Sequence, residues 1–299
     1  MKVAITGATG FLGRYIVRKM HEVGNSCRCW YRSEDNCYEA QKSTDTLEWT
    51  HGELGNQAAC DDLLKGCDAI VHSGLHRTGE SFRGSEGDVA EFIQKNVVGT
   101  IQLIEAARRA GVRKFVFIST CAVHEKILDD RPLDESHPLW MTTHYGAHKA
   151  AVEQFVHSYG FGVGFPICAL RPTGIYGRHH EPHRSKWFGM VKQVANGEPF
   201  ECSGGGKEVH AADVADAIDI LLHSNGNAGE VYSCYDQYVS QFDVATIASE
   251  LSGSNVEIPG TRTAPRHQIV SDKIKGLGMQ FGGEPLLKQT IQELIDASR

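Results

Sequence analysis

Short β-branched apolar runs alternate with longer stretches of helical apolar spacing through the first 170 or so residues of this chain. Val3–Ile5 reads as a strand, and Phe11–Val23 as a helix with Leu12, Ile16 and Met20 on one face. Cys27–Tyr31 is a second strand and Leu47–Trp49 a third, followed by a helix through Leu63 and Leu64. Ala69–Val71 is a fourth strand, and Val89–Ala110 a long helix that Gly111 stops. Phe115–Ile118, a helix at Ala147–Tyr159 and a sixth strand at Pro166–Leu170 complete the series.

After Pro172 the pattern loosens, and Gly, His, Lys and Pro crowd residues 174–207. Ala211–Leu222 is helical, Glu230–Ser233 extended, and helices return at Phe242–Leu251 and Pro285–Ala297. Strands separated by helices of this length need right-handed crossovers, and hence a parallel sheet covered on both faces. The pattern predicts an α/β fold, a Rossmann-type doubly wound parallel sheet with a smaller mixed C-terminal lobe. Residues 1–172 form the expected dinucleotide-binding part, to which the chain returns near 208–235. Residues 173–207 and 236–299 form the expected substrate-binding lobe.

Thr6-Gly7-Ala8-Thr9-Gly10-Phe11-Leu12-Gly13 lies between the first strand and the first helix. Gly7 permits a tight turn, Gly10 leaves room for a pyrophosphate, and Gly13 allows helix and sheet to pack closely. The helix N-terminus behind them favours phosphate charge. Tyr145 and Lys149 stand four apart, on one face of a helix. A phenol titrates near ~10, too high for a base at neutral pH, and a neighbouring ammonium lowers that value. Tyr145 can then exchange a proton with a substrate hydroxyl or carbonyl oxygen as hydride moves at the same carbon. Thr120 can hydrogen-bond that oxygen.

The glycine spacing, G-x-x-G-x-x-G, resembles that of the extended short-chain dehydrogenase/reductases, the NAD-dependent epimerase/dehydratase family. Further matches follow in order. They are Asp68-Ala69-Ile70-Val71-His72, Asn96-Val97-Val98-Gly99-Thr100, Phe117-Ile118-Ser119-Thr120 and Tyr145-Gly146-Ala147-His148-Lys149. Arg171-Pro172-Thr173-Gly174-Ile175-Tyr176-Gly177 and Val209-His210-Ala211-Ala212-Asp213-Val214-Ala215 complete the set. The resemblance implies a catalytic Thr120, Tyr145 and Lys149, with Lys149 also on the nicotinamide ribose. It implies cofactor contacts from Gly7, Thr9, Gly10, Phe11, Leu12 and Gly13 in the turn, and from Glu53 and Leu54 near the adenine. Ser73, Gly74, Asn96 and Ser119 are expected along the strand ends, with Tyr145, Lys149, Pro172, Thr173 and Ile175 around the nicotinamide.

The second strand ends in Cys29-Trp30-Tyr31-Arg32, with Tyr31 where an acidic residue would hold the adenosine ribose. Arg32 accommodates an extra phosphate, so the expected cofactor is NADP, with NAD the alternative if Glu34 or Asp35 reaches the ribose. Cys121-Ala122 follow Thr120 where the 4,6-dehydratases of the family carry acidic residues, which argues against elimination of water. Gly204-Gly205-Gly206-Lys207-Glu208 offers only Lys207 in a region where sugar-nucleotide enzymes hold a diphosphate with Arg. The loops His72-Ser73-Gly74-Leu75 and Val123-His124-Glu125 depart from the family pattern beside the site.

The expected activity is hydride transfer at a secondary alcohol or ketone carbon of a sugar-like or other small carbonyl substrate. A sugar (nucleotide) epimerase with retained cofactor is one alternative, and a non-catalytic NAD(P)-sensing protein another. His179, His180 and His183, between Arg178 and Arg184, lack the spacing and further ligand of a metal site, so no metal is expected. His76, Arg77 and Lys186 are candidates for the substrate lobe.

The net charge is −7, from 30 basic and 37 acidic residues, with no basic block that calls for nucleic acid or a membrane surface. The 9 cysteines are scattered, without C-x-x-C spacing, and read as reduced thiols. No apolar run is long enough to span a bilayer. A cytoplasmic protein is expected, with a small-molecule substrate. A homodimer through the helices at 89–110 and 147–159 is implied by the resemblance.

Overall fold

The computed structural model describes residues 1–33, 44–79 and 84–299. Seven parallel strands form its main sheet: β1 (Lys2–Thr6), β2 (Ser26–Tyr31), β3 (Leu47–His51), β4 (Ala69–His72), β5 (Lys114–Ile118), β6 (Ile167–Pro172) and β9 (Val231–Cys234). Their spatial order is β3-β2-β1-β4-β5-β6-β9. The chain reverses direction across the sheet between β1 and β4, where open α/β sheets form a ligand crevice at the strands' carboxyl ends.

Alternation along each strand divides the core in two. Val3 and Ile5, with Val71 and Val116, meet Ile16 and Met20 of α1 (Phe11–Glu22) and Val214, Ile218 and Leu221 of α7 (Ala211–His223). Ala4, Ile70, Phe115 and Phe117 face the other way. They meet Leu63 of α2 (Gln57–Leu64), Leu103 of α4 (Gly99–Arg109) and Val152 of α5 (His144–His157). Both faces are covered, as the near-continuous apolar strands require.

The helix expected at Val89–Ala110 is interrupted. After α3 (Val89–Ile93), Gln94–Val98 adopts wider π-type hydrogen bonding before α4 begins. Such π-bulges insert a residue and re-aim side chains, often near functional sites. The helix carrying Tyr145 starts at His144 rather than Ala147, because the Thr143 hydroxyl caps it by accepting from Gly146 N–H at 3.1 Å. The sixth strand also lies slightly later than expected, at Ile167–Pro172.

A second sheet, in the order β10-β8-β7, joins β7 (Gly174–Tyr176), β8 (Gly205–His210) and β10 (Gln237–Ser240). With α6 (Phe188–Ala195), α8 (Gln241–Ser252) and α10 (Gly283–Ser298) it encloses a separate core of Tyr176, Met190, Val191, Val239, Leu287 and Ile291. The short helix α9 (Asp272–Lys275) packs beside β9. None of the described helices is long and apolar enough to cross a membrane.

Candidate active site

Above the carboxyl ends of β1, β4, β5 and β6 lies a cleft of about 1710 Å³, larger than a drug-sized pocket and roomy enough for a dinucleotide with a second molecule. One end is built by the β1–α1 turn. Gly7 has φ +72°, and a Cβ there would stand 2.8 Å from Ser73 Oγ. A Cβ on Gly13 would lie 2.1 Å from the Gly7 carbonyl, so helix and turn meet this closely only through glycine. Helix α1 begins at Gly10 with no side-chain cap and no acidic residue in its first turn. Its N–H groups and positive end are therefore available to an anion.

A directional hydrogen-bond chain braces this turn. Thr100 donates its only hydroxyl proton to the Asn96 carbonyl at 2.6 Å, so it must accept from His72 Nε2–H at 2.9 Å. His72 Nδ1 then accepts from the Thr6 hydroxyl at 2.6 Å, which in turn accepts from Gly74 N–H at 3.0 Å. This requires a neutral imidazole, and burial pushes the His72 pKa down to about 3, with the Lys149 charge adding to the effect. Ser73 donates to the Thr6 carbonyl at 2.7 Å. Asn96, expected among the cofactor contacts, does not line the cleft. Its amide donates to the His76 and Phe92 carbonyls and accepts from His76 N–H, holding the loop after β4 from behind.

At the middle of the cleft, β5 delivers Ser119 and Thr120 opposite α5, which delivers Tyr145 and Lys149, and all four line the cavity. Thr120 accepts from Ala122 N–H at 3.1 Å, turning its hydroxyl side toward the cleft wall. Lys149 is buried, donates to the Ile118 carbonyl at 2.7 Å and lies 4.7 Å from the Phe117 ring centroid. Burial pushes its pKa down to about 7, with the Glu153 carboxylate opposing.

One helical turn beyond Lys149, Glu153 is 0% exposed and receives Arg171 in two parallel hydrogen bonds of 2.9 and 2.7 Å. Ser119 donates to the same carboxylate, and Arg171 reaches His124 Nε2 at 3.2 Å. Arginine has no acceptor, so His124 carries its proton on Nδ1. Burial, followed by the Arg171 charge, lowers the His124 pKa to about 4. The i+4, i+8 spacing from Tyr145 is the signal that would have found Glu153 in the sequence.

The end nearest β2 is lined by Trp30, Arg32, Glu53 and Leu54, together with Arg14 and Lys95, which the sequence reading missed. Arg14 directly follows the third glycine of the turn, on the first turn of α1, and that position is the available signal. Glu53 is exposed and paired with Lys95 at 3.0 Å. No carboxylate among the described residues pairs with Arg32. Glu34 and Asp35 lie outside the described residues.

Pro172, Thr173 and Ile175 line the wall next to Tyr145, and Thr173 Oγ1 is buried with no hydrogen-bond partner among the described residues. Thr9, Phe11 and Leu12 line the glycine-turn end. The lobe beyond β7 contributes His179, His180, Arg184, Lys186 and Lys207. His179, His180 and Glu181 bring one potential ligand atom each within 4.8 Å of one another, whereas His183 is not part of that group. His179 Nδ1 already accepts from Glu181 N–H at 3.0 Å and its ring stacks on Phe11 at 5.8 Å. His76 and Arg77 line the cleft from the loop after β4.

The dinucleotide expected from the sequence fits these features. An uncapped helix end faces the cleft, a glycine turn closes beneath it, and the Thr173 hydroxyl is buried in the wall next to Tyr145 without a partner among the described residues.

The family model described as "NAD dependent epimerase/dehydratase family" matches residues 3–234. An Arabidopsis thaliana trifunctional UDP-glucose 4,6-dehydratase/UDP-4-keto-6-deoxy-D-glucose 3,5-epimerase/UDP-4-keto-L-rhamnose-reductase is 26% identical over 304 residues, covering 93% of this chain and 44% of that protein. The chain therefore spans less than half the length of that relative, and of a second Arabidopsis protein of the same description. A 4-hydroxy-2-methyl-3-oxo-4-farnesyl-3,4-dihydroquinoline-1-oxide ketoreductase from Stigmatella aurantiaca is 29% identical over 268 residues, 86% of this chain and 75% of its own. Among solved structures, a Thermotoga maritima UDP-glucose 4-epimerase with UDP-glucose has a TM-score of 0.79 at 18% identity, covering 99% of this chain and 98% of that one. A Thermus thermophilus UDP-glucose 4-epimerase in complex with NAD has a TM-score of 0.76 at 21% identity, covering 100% and 99%. At these identities the structural likeness concerns the fold.

Proposed function

This chain belongs to the NAD dependent epimerase/dehydratase family, and on that premise we propose that it is an NAD(P)-dependent carbonyl reductase or alcohol dehydrogenase. The observation that carries the reading is the meeting of Thr120, Tyr145 and Lys149 on one cleft with the uncapped helix end behind the glycine turn. The nicotinamide, when bound, supplies or accepts the hydride. Tyr145 gives its phenolic proton to the substrate oxygen in reduction and takes it back in oxidation. Lys149, held at the Ile118 carbonyl, supports the phenolate with its charge and would hold the ribose. Thr120 orients the substrate oxygen. The large sheet with its return strand serves the cofactor, and residues 173–207 and 236–299 serve the substrate. The test is oxidation of reduced nicotinamide by a panel of ketones and aldehydes. Tight cofactor binding without oxidation by any of them would contradict the reading.

Reductase rather than epimerase is favoured by the absence of an arginine at 204–208 that could grip a diphosphate. NADP rather than NAD is favoured by Arg14, Arg32 and Lys95 at the β2 end, where Glu53 is the sole carboxylate among the described lining residues and is paired. Arg32→Asp is therefore expected to weaken NADPH binding about 10- to 100-fold, the worth of a charge-assisted bond, while NADH changes much less. Equal losses for both cofactors in a fluorescence titration would refute the NADP assignment.

A homodimer through the helices at 89–109 and 144–157 is supported by outward apolar side chains there, Ile93 at 46% and Phe155 at 39% exposure. Light scattering should give twice the monomer mass, and Phe155→Glu should halve it. A monomer in the unsubstituted protein would exclude this arrangement.

A further inference from the structure

The substrate half of the cleft has a lopsided chemistry. Ile127, Leu133 and Ile269 line it and form one apolar cluster with Tyr235 and Cys121. The two segments that supply them are tied together, Val270 N–H donating to the Leu133 carbonyl at 2.9 Å. This apolar wall is therefore a fixed surface rather than a loose loop.

The same cleft is also lined by charged groups, Arg184, Lys186 and Lys207 from the second lobe and Glu125 from the segment after β5. Lys186 is bound by the buried Glu208 at 2.5 Å, and Arg184 by Glu181 at 3.0 Å. Glu125 is turned onto Thr142, whose hydroxyl donates to it at 2.7 Å. Lys207, on β8, is different. It is half-buried and lines the cleft, and its ammonium has neither hydrogen bond nor ion pair among the described residues. Burial lowers its pKa, and Cys121, which directly follows Thr120, opposes that shift only weakly. A partly desolvated ammonium without a counter-charge is costly unless a ligand supplies one.

We propose, resting on the oxidoreductase reading above, that the substrate is a small organic carbonyl acid whose carboxylate pairs with Lys207 while its apolar body lies on Ile127, Leu133 and Ile269. One unpaired cation matches a single negative charge. A nucleotide diphosphate would place two charges beside the buried Glu208 carboxylate, where Lys186 is already held by Glu208 and Arg184 by Glu181. A neutral sugar would leave both the ammonium and the apolar wall unmatched. The carboxylate lies on the second-lobe side of the reacting carbon, since Lys207 comes from β8, Thr120 from the end of β5 and Tyr145 from α5.

The test uses 4-oxo-4-phenylbutanoate and its methyl ester, which share the ketone and ring and differ only in charge. Each is titrated calorimetrically into the full-length protein saturated with the tighter-binding of NADP+ and NAD+, and each is assayed as an oxidant of the reduced cofactor. The acid is expected to bind about 10- to 100-fold more tightly than the ester, the range of a charge-assisted hydrogen bond. In Lys207→Met that ratio should fall to within about threefold, and in Lys207→Arg it should largely persist. Thermal unfolding and cofactor affinity of both variants establish that they fold. Equal binding of acid and ester, no measurable binding of the acid, or a preference that survives Lys207→Met overturns the proposal. A Lys207-dependent preference without cofactor oxidation by either compound leaves the carboxylate site standing and removes the hydride-transfer reading. Oxidation by both compounds at equal rates does the reverse.

Discussion

Tyr145→Phe is expected to lower kcat by about 10²- to 10⁴-fold while leaving NADPH affinity within twofold, because proton transfer by a positioned group contributes on that order. The substitution removes one oxygen from the first turn of α5 and keeps the ring that packs at 5.4 Å against His148. The hydrogen bond of Lys149 to the Ile118 carbonyl and the buried pair behind it involve no atom of Tyr145, so the cofactor end of the cleft is unaltered. A loss confined to KM would assign Tyr145 to binding instead, and full activity would remove it from the mechanism.

Arg171→Met is expected to destabilise the protein by about 3–5 kcal/mol, the cost of leaving one partner of a buried ion pair uncompensated. Arg171 is 1% exposed and Glu153 0%, so water cannot replace the lost hydrogen bonds. With about 2–4 °C per kcal/mol for a chain of this size, the melting temperature should fall by roughly 10 °C. Adding Glu153→Leu should recover much of the loss, because an apolar replacement of a whole buried pair is often near neutral. The double variant should nevertheless turn over more slowly than the unsubstituted protein. Glu153 also accepts from Ser119, next to Thr120, and its removal loosens the strand end that positions the hydroxyl. A single variant that melts within 2 °C of the unsubstituted protein would show that the pair is solvated or dispensable.

The main sheet was legible because its evidence is periodic. Strands such as Ala69–His72 and Phe115–Ile118 are buried at every position and apolar at nearly all of them, and the helices between them carry apolar stripes that end in residues such as Gly111. The second sheet was not. Gly174–Tyr176 spans three residues, and Gly205-Gly206-Lys207 has no alternation, so these strands are defined by partners distant in sequence. The expected site residues were marked by chemistry and spacing, and nearly all of them line one cleft. Asn96 is the exception: its motif was visible, but its side chain acts behind the wall, through a π-bulge that local periodicity cannot reveal. Glu153 escaped notice because a glutamate in a helix is ordinarily a surface residue, and only burial against Arg171 gives it meaning. Lys207 could be picked out by type, but its lack of a counter-charge is a property of the folded lobe.

The most direct measurement is to denature freshly purified protein, identify any released nucleotide by chromatography and mass spectrometry, and titrate the nucleotide-stripped protein with NADPH and NADH. An exchanging reductase predicts little or no retained nucleotide and tighter binding of NADPH than of NADH. One equivalent of tightly held NAD per chain would contradict the account and make the protein a cofactor-recycling epimerase.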